Sequence, residues 1–146
     1  MRCQSVLAAH SKPEMTTRLL TTVSAAIEAA TGIALLAVPE LVARVLLGAG
    51  LSDSGIAVGR VAGFALLSLG LACWPTADDA TPSAVYALFA YNLLAAFYLG
   101  YLRVSGEFVA FLLWPACALH AVLALLFARP AYGRVSAAKV APANKQ

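Results

Sequence analysis

The stretch from Leu19 to Val38, LLTTVSAAIEAATGIALLAV, decides how this chain is read. Wound as an α-helix at about 1.5 Å per residue, its 20 residues match a hydrocarbon layer of roughly 30 Å. Glu28, at its middle, opposes that reading. A carboxylate at the centre of a span costs roughly 2.5–3.5 kcal/mol, while each of the eight Leu, Ile and Val residues of the stretch returns about 0.3–0.6 kcal/mol. The terms nearly cancel, so this helix is no comfortable lone span. Glu28 has to be protonated, paired, or turned toward other helices.

The rest of the chain supplies those helices. Further apolar runs occur at Ile56 to Trp74, Ala84 to Leu102 and Phe108 to Ala128, each of membrane-crossing length. Punctuation separates them. Pro39 ends the first, Trp74-Pro75 the second, Ser105-Gly106 divides the third from the fourth, and Arg129-Pro130 closes the last. Polar–apolar alternation, the mark of a barrel strand, is missing from these runs. Over 146 residues, 62% are hydrophobic and 12% charged, with a mean hydropathy of +0.83. Ordinary soluble domains hold roughly 45–50% and 25%. Nine charged residues between Leu19 and Ala128 cannot clothe a water-soluble surface. The composition excludes disorder and a conventional soluble enzyme, and it makes lipid the solvent.

Charge then sets the topology. Seven of the ten Lys and Arg residues lie outside the apolar block: Arg2, Lys12 and Arg18 before it, and Arg129, Arg134, Lys139 and Lys145 after it. With four spans both termini share a side with the Pro75 to Ser83 loop. The opposite side holds only Arg44 and Arg103, plus Arg60 if it is counted, so the termini are expected in the cytoplasm. Asp78 and Asp79 in that loop weigh little in this rule. Trp74, Tyr86 and Tyr132 fall near the inner interface, and Tyr98 and Tyr101 near the outer one. The basic excess speaks of membrane orientation and gives no sign of nucleic-acid binding. Residues 1–18 read as a cytoplasmic segment, 19–128 as the membrane domain and 129–146 as a disordered basic tail. No apolar run of signal-peptide length precedes Met15, which offers an alternative start because every spanning segment follows it.

Between the first two spans, PELVARVLLGAGL from Pro39 to Leu51 carries apolar residues at Leu41, Val42, Val45 and Leu46, with Glu40 and Arg44 at i, i+4. That predicts a short interfacial helix with Pro in its first turn, either a lipid-facing connector or a partner-docking element.

The informative residues are those that lipid should forbid. Measured from the cytoplasmic ends, Glu28 lies roughly 14 Å deep, and Asn92 and His120 about 12 Å. Three polar side chains from three helices therefore share one layer. Arg60, roughly 21 Å from the same side, either snorkels outward or reaches toward Glu28. Small residues flank each of them. Ala25 and Gly32 accompany Glu28, Gly59 and Gly63 bracket Arg60 in a GxxxG, Ala96 and Gly100 follow Asn92, and Ala116 and Ala124 surround His120. Glu28, Arg60, Asn92 and His120 thus form a candidate intramembrane polar cluster. It serves either as packing glue between helices or as a site that exchanges protons or holds a polar ligand near the midplane.

Other features carry less. Pro115, inside the expected fourth span, predicts a kink just before Cys117 and His120. Cys3, Cys73 and Cys117 lack CxxC spacing and suggest no disulfide framework; Cys117 reads as a small apolar filler. His10 lies in the N-terminal segment, leaving His120 as the one imidazole in the spans, too few for bis-histidine haem or a conventional metal site. Aromatics at Tyr86, Phe89, Tyr91, Phe97, Tyr98 and Tyr101 spread around one helix, as core and lipid contacts or as the lining of a pocket for a flat lipophile such as a quinone. No Walker loop, GxSxG or HExxH occurs. No cofactor is expected.

Glu28 with Thr31-Gly32, Pro39-Glu40-Leu41-Val42 leading to Leu46-Leu47-Gly48, Gly59-Arg60-Val61-Ala62-Gly63, Leu69-Gly70-Leu71, Tyr91-Asn92, and Trp114-Pro115 before His120 together form a pattern over residues 16 to 129. It resembles small four-span bacterial membrane proteins of unknown function and, more distantly, the DoxX-like group. The resemblance implies the architecture. Some DoxX-like proteins are associated with quinol oxidation or thiol redox systems, but no residue set for such chemistry carries over to this chain.

The expectation is an all-α integral protein of a bacterial inner membrane, an antiparallel four-helix bundle with a short interfacial helix between its first two spans. Its partners are the lipid bilayer and either another membrane protein or a second copy of itself. The leading function is a non-enzymatic accessory or structural component. The alternatives are a small transporter or channel built on the polar layer and a quinone-linked redox accessory.

Overall fold

The computed structural model describes the backbone at residues 3–76, 81–108 and 110–140, and side chains at 16–76, 81–108 and 110–132. It is all-helical: α1 (Cys3–Ala37), α2 (Pro39–Leu47), α3 (Asp53–Ala72), α4 (Pro82–Ser105) and α5 (Leu113–Val140). Asp78 and Asp79, the side chains before Thr16 and the residues after Val140 lie outside the described residues. Four segments are long and apolar enough to cross a membrane: Thr16–Ala37, Asp53–Ala72, Pro82–Ser105 and Leu113–Tyr132.

Local chemistry sets the boundaries. The Ser52 hydroxyl accepts from the Gly55 N–H at 3.2 Å and starts α3, and Thr81 caps α4 ahead of Pro82 in its first turn. Gly48 and Gly106 end α2 and α4 with φ of 77° and 78°, the left-handed conformation that glycine adopts without a Cβ penalty. Pro39 opens the expected short helix α2, whose Arg44 and Glu40 side chains bridge at 2.7 Å on its exposed face.

Two boundaries differ from the sequence reading. Helix α5 begins at Leu113, so Pro115 sits in its first turn, where the missing N–H has no helical partner to lose, and it does not interrupt the helix at mid-span. Nor does the helix close at Arg129-Pro130. Pro130 lies inside α5, which continues to Val140. Ala131 beyond it is buried in the core, and the following residues include several strong helix formers, Ala137, Ala138 and Lys139 among them. At the other end α1 is helical from Cys3, well before Leu19.

The helices associate as two pairs, α1 with α3 and α4 with α5, and α1 joins one pair to the other. Within each pair the contacts run in opposite sequence order. Gly70 of α3 meets Ala25 and Ala29 of α1, Gly63 meets Gly32 and Leu36, and Gly59 meets Pro39 beyond the end of α1. Along α4 and α5, Tyr86 donates to the Ala131 carbonyl at 3.2 Å, Asn92 meets His120, and Arg103 lies over the Trp114 ring at 5.7 Å. A Cβ on Gly70 would stand 2.7 Å from the Ala25 carbonyl oxygen and one on Gly32 2.6 Å from the Leu67 nitrogen, so these backbones touch directly.

One half of the molecule is closed. Ala25, Cys73, Ala84, Val85, Leu88, Leu123, Phe127 and Ala131 form its core, the place where all four long helices meet. Elsewhere large apolar side chains face outward, with Val58 69%, Phe97 71% and Phe111 86% exposed. Such a surface would aggregate in water and is at home in acyl chains.

Candidate functional site

Where the closed core ends, polar side chains meet. The amide nitrogen of Asn92, a fully buried residue of α4, donates to the Leu88 carbonyl at 2.8 Å and to the Ser24 hydroxyl of α1 at 3.2 Å. Its oxygen lies 2.8 Å from Nδ1 of His120 on α5. Both amide hydrogens and the oxygen are thereby used, and three helices are tied together by one side chain. Glu28, one turn after Ser24 on α1, is 1% exposed. The Tyr91 hydroxyl is its polar neighbour, and its Oε1 is buried without a partner among the described residues. The Tyr91 ring meets the His120 ring edge-on at 5.6 Å between centroids, closing the chain of contacts from Glu28 to Asn92.

The sequence nominated Glu28, Arg60, Asn92 and His120. Asn92 and His120 bond directly, and Glu28 joins them through Tyr91. Arg60 has to be separated from them. It is exposed on α3 and makes no hydrogen bond or ion pair among the described residues. Helix α3 packs chiefly on α1 and α2, and the glycines beside Arg60 turn toward α1 and Pro39, leaving the guanidinium on the outer face. Ser24 and Tyr91 are the members that sequence reasoning missed. Ser24 carried a signal, because it lies four residues before Glu28 on the same helical face. Tyr91, adjacent to Asn92, reads in the sequence as one aromatic among many.

Beyond this layer the two pairs diverge. A cavity of about 990 Å³ opens between them, walled by apolar side chains of all five helices, among them Leu41, Val45, Leu66, Leu94 and Leu119. The apolar face of α2 therefore lines this cleft, and its Gly48 cap approaches Ala110 in the loop before α5. Tyr91 and His120 reach the wall from the polar layer, so the cleft has an apolar body and a polar floor. Thr31 also lines it, but its hydroxyl is spent on the Ile27 carbonyl at 2.8 Å. Glu28 and Asn92 stay behind the wall. An apolar cavity with a few convergent polar groups is the usual form of a small-molecule site.

The two described cysteines are free. Cys73 is packed in the core, and the Cys117 thiol points to the Ala96 carbonyl at 3.4 Å between α4 and α5. Among the described residues no three His, Cys, Asp or Glu side chains assemble.

No protein family, curated protein or solved structure matches the chain, so the resemblance noted in its sequence rests on those motifs alone.

Proposed function

We propose that this protein is a non-catalytic component of a bacterial inner membrane, with both termini in the cytoplasm, that holds a lipophilic molecule in the cleft between its helix pairs. The observation that carries this reading is the cleft itself, about 990 Å³ of apolar space ending on Tyr91 and His120. A ligand entering from the bilayer gives up little hydrophobic energy, because acyl chains are as apolar as the wall. Discrimination then falls to the polar floor and to shape. The seven basic residues flanking the apolar block support the orientation.

Purification in lipid nanodiscs, followed by mass spectrometry of whatever remains bound, tests the reading. Ala95 of α4 lines the cleft, and Ala95→Trp fills it. A lipophile retained at near-stoichiometric amount by the natural chain and lost from Ala95→Trp is expected. Equal retention by both, or none by either, refutes the proposal.

One observation favours a transporter instead, the unpartnered Oε1 of Glu28. Transport requires water to reach that carboxyl, and Glu28 is sealed behind the cleft wall at 1% exposure. Proton flux in proteoliposomes that disappears in Glu28→Gln would reverse this preference.

A further inference from the structure

The hydrogen bonds of Asn92 fix the chemistry that His120 shows to the cleft. The Asn92 atom 2.8 Å from the Leu88 carbonyl has to be the NH₂ nitrogen, because an oxygen there would face another oxygen. The amide oxygen is therefore the atom facing His120 Nδ1, also at 2.8 Å, and it can only accept. Nδ1 carries the proton. In the neutral imidazole Nε2 is then a bare acceptor.

Nε2 lies across the ring from the Asn92 bond, has no partner among the described residues, and is not among the buried unpaired atoms, so it is reachable. His120 forms part of the cleft wall, and that lone pair is the acceptor its ring can offer a ligand there. Tyr91, the other polar ring of the floor, carries its hydroxyl beside Glu28.

Resting on the cleft reading above, we propose that the site selects lipophiles whose polar end is a hydroxyl, an alcohol or phenol that donates to Nε2 of His120. A molecule ending in a carbonyl or an ether brings a second acceptor to an acceptor and leaves both unsatisfied. Asn92 is then a positioning residue that sets the tautomer without touching the ligand.

The test uses the full chain in nanodiscs and two matched probes, para-octylphenol and its methyl ether, titrated as mole fraction in the lipid. Binding is followed by ¹³C resonances of the labelled octyl chains, a readout shared by every variant, while the imidazole ¹⁵N resonances of the natural chain are assigned through their loss in His120→Phe. The pattern of ¹⁵N–¹H couplings reports the tautomer independently. The phenol is expected to bind roughly five- to tenfold more tightly than the ether, with the unliganded ring protonated at Nδ1. His120→Phe, which keeps a ring of similar size, should bring the two probes to parity by weakening the phenol alone.

Equal affinities, or a tighter ether, with Ala95→Trp abolishing both, overturn the hydroxyl preference and leave the cleft reading standing. Absence of binding by either probe overturns the cleft reading and this inference with it. An Nε2–H tautomer overturns the inference whatever the affinities.

Discussion

Adding one methyl group at Gly70 should separate α1 from α3. A Cβ there would lie 2.7 Å from the Ala25 carbonyl oxygen, 2.8 Å from the Ala29 nitrogen and 3.0 Å from the Ala29 Cβ. Two of these are backbone atoms of a regular helix and cannot rotate away. Ordinary contact begins near 3.4 Å, so the helices must part by about 0.7 Å at this point. A gap of 0.5–1 Å forfeits about a quarter to a half of the dispersion energy of the contacts it opens. In a bilayer that packing is most of what holds helices together. Overpacking of this kind costs about 1–3 kcal/mol, and replacing glycine by alanine inside a helix returns up to about 1 kcal/mol. The expected net loss for Gly70→Ala is about 1–2 kcal/mol.

Gly59→Ala is the control, since its Cβ would meet only side chains, Pro39 at 3.3 Å and Leu51 at 3.8 Å, and it should be neutral or slightly stabilising. Reversible unfolding in bicelles, read by steric trapping with labels on α1 and α3, gives both numbers. If Gly59→Ala proves as costly as Gly70→Ala, the helices approach as closely at Gly59 as at Gly70 and this packing is wrong.

The polar residues give three more expected outcomes. Asn92→Ala removes its bonds to Ser24, Leu88 and His120 and should lose about 2–3 kcal/mol in the same assay, against about 0.5–1 kcal/mol for Ser24→Ala; equal losses would deny Asn92 its central place. Glu28→Gln preserves the shape of a buried side chain whose Oε1 has no partner, so stability should stay within about 1 kcal/mol, and a chain that no longer folds would show the carboxyl to be indispensable. Arg60→Gln, on the exposed face of α3, should leave the unfolding midpoint unchanged; a loss like that of Asn92→Ala would return Arg60 to the cluster.

The four spans, the Pro-initiated connector and the shared depth of Glu28, Asn92 and His120 were legible because run length, turn residues and rise per residue are local properties. The ends of α5 were less so. A proline marks a boundary only when the chain around it has no reason to stay helical, and Pro115 and Pro130 each fall where the helix tolerates them. The GxxxG around Arg60 was legible as a contact face, Gly63 against Gly32 and Gly59 against Pro39, but Arg60 does not share it. A residue one step after Gly59 is turned about 100° around the helix, away from the glycine face. The observed seam uses Gly63 and Gly70, two turns apart, against Ala25 and Gly32. The cleft left no trace in the sequence, since it results from two helix pairs that pack well internally, share a core on one side of the polar layer and are bridged on the other by α2.

The position of the layer at the edge of that core explains why polar residues persist in so apolar a chain. Below the layer, Phe127, Leu88 and Val85 fill the space between the pairs; above it the pairs diverge and no described residue fills the gap. The layer is therefore the last place where α1 can be tied to α4 and α5, and Asn92 ties it with every polar atom it has. On the proposed reading, packing glue and ligand recognition become two sides of one imidazole. His120 spends Nδ1 on the joint and leaves Nε2 without a partner among the described residues. A ligand held at Nε2 as proposed would pull on Asn92 and through it on Ser24, so the same bond that orients the ring ties α5 to α4 and α1.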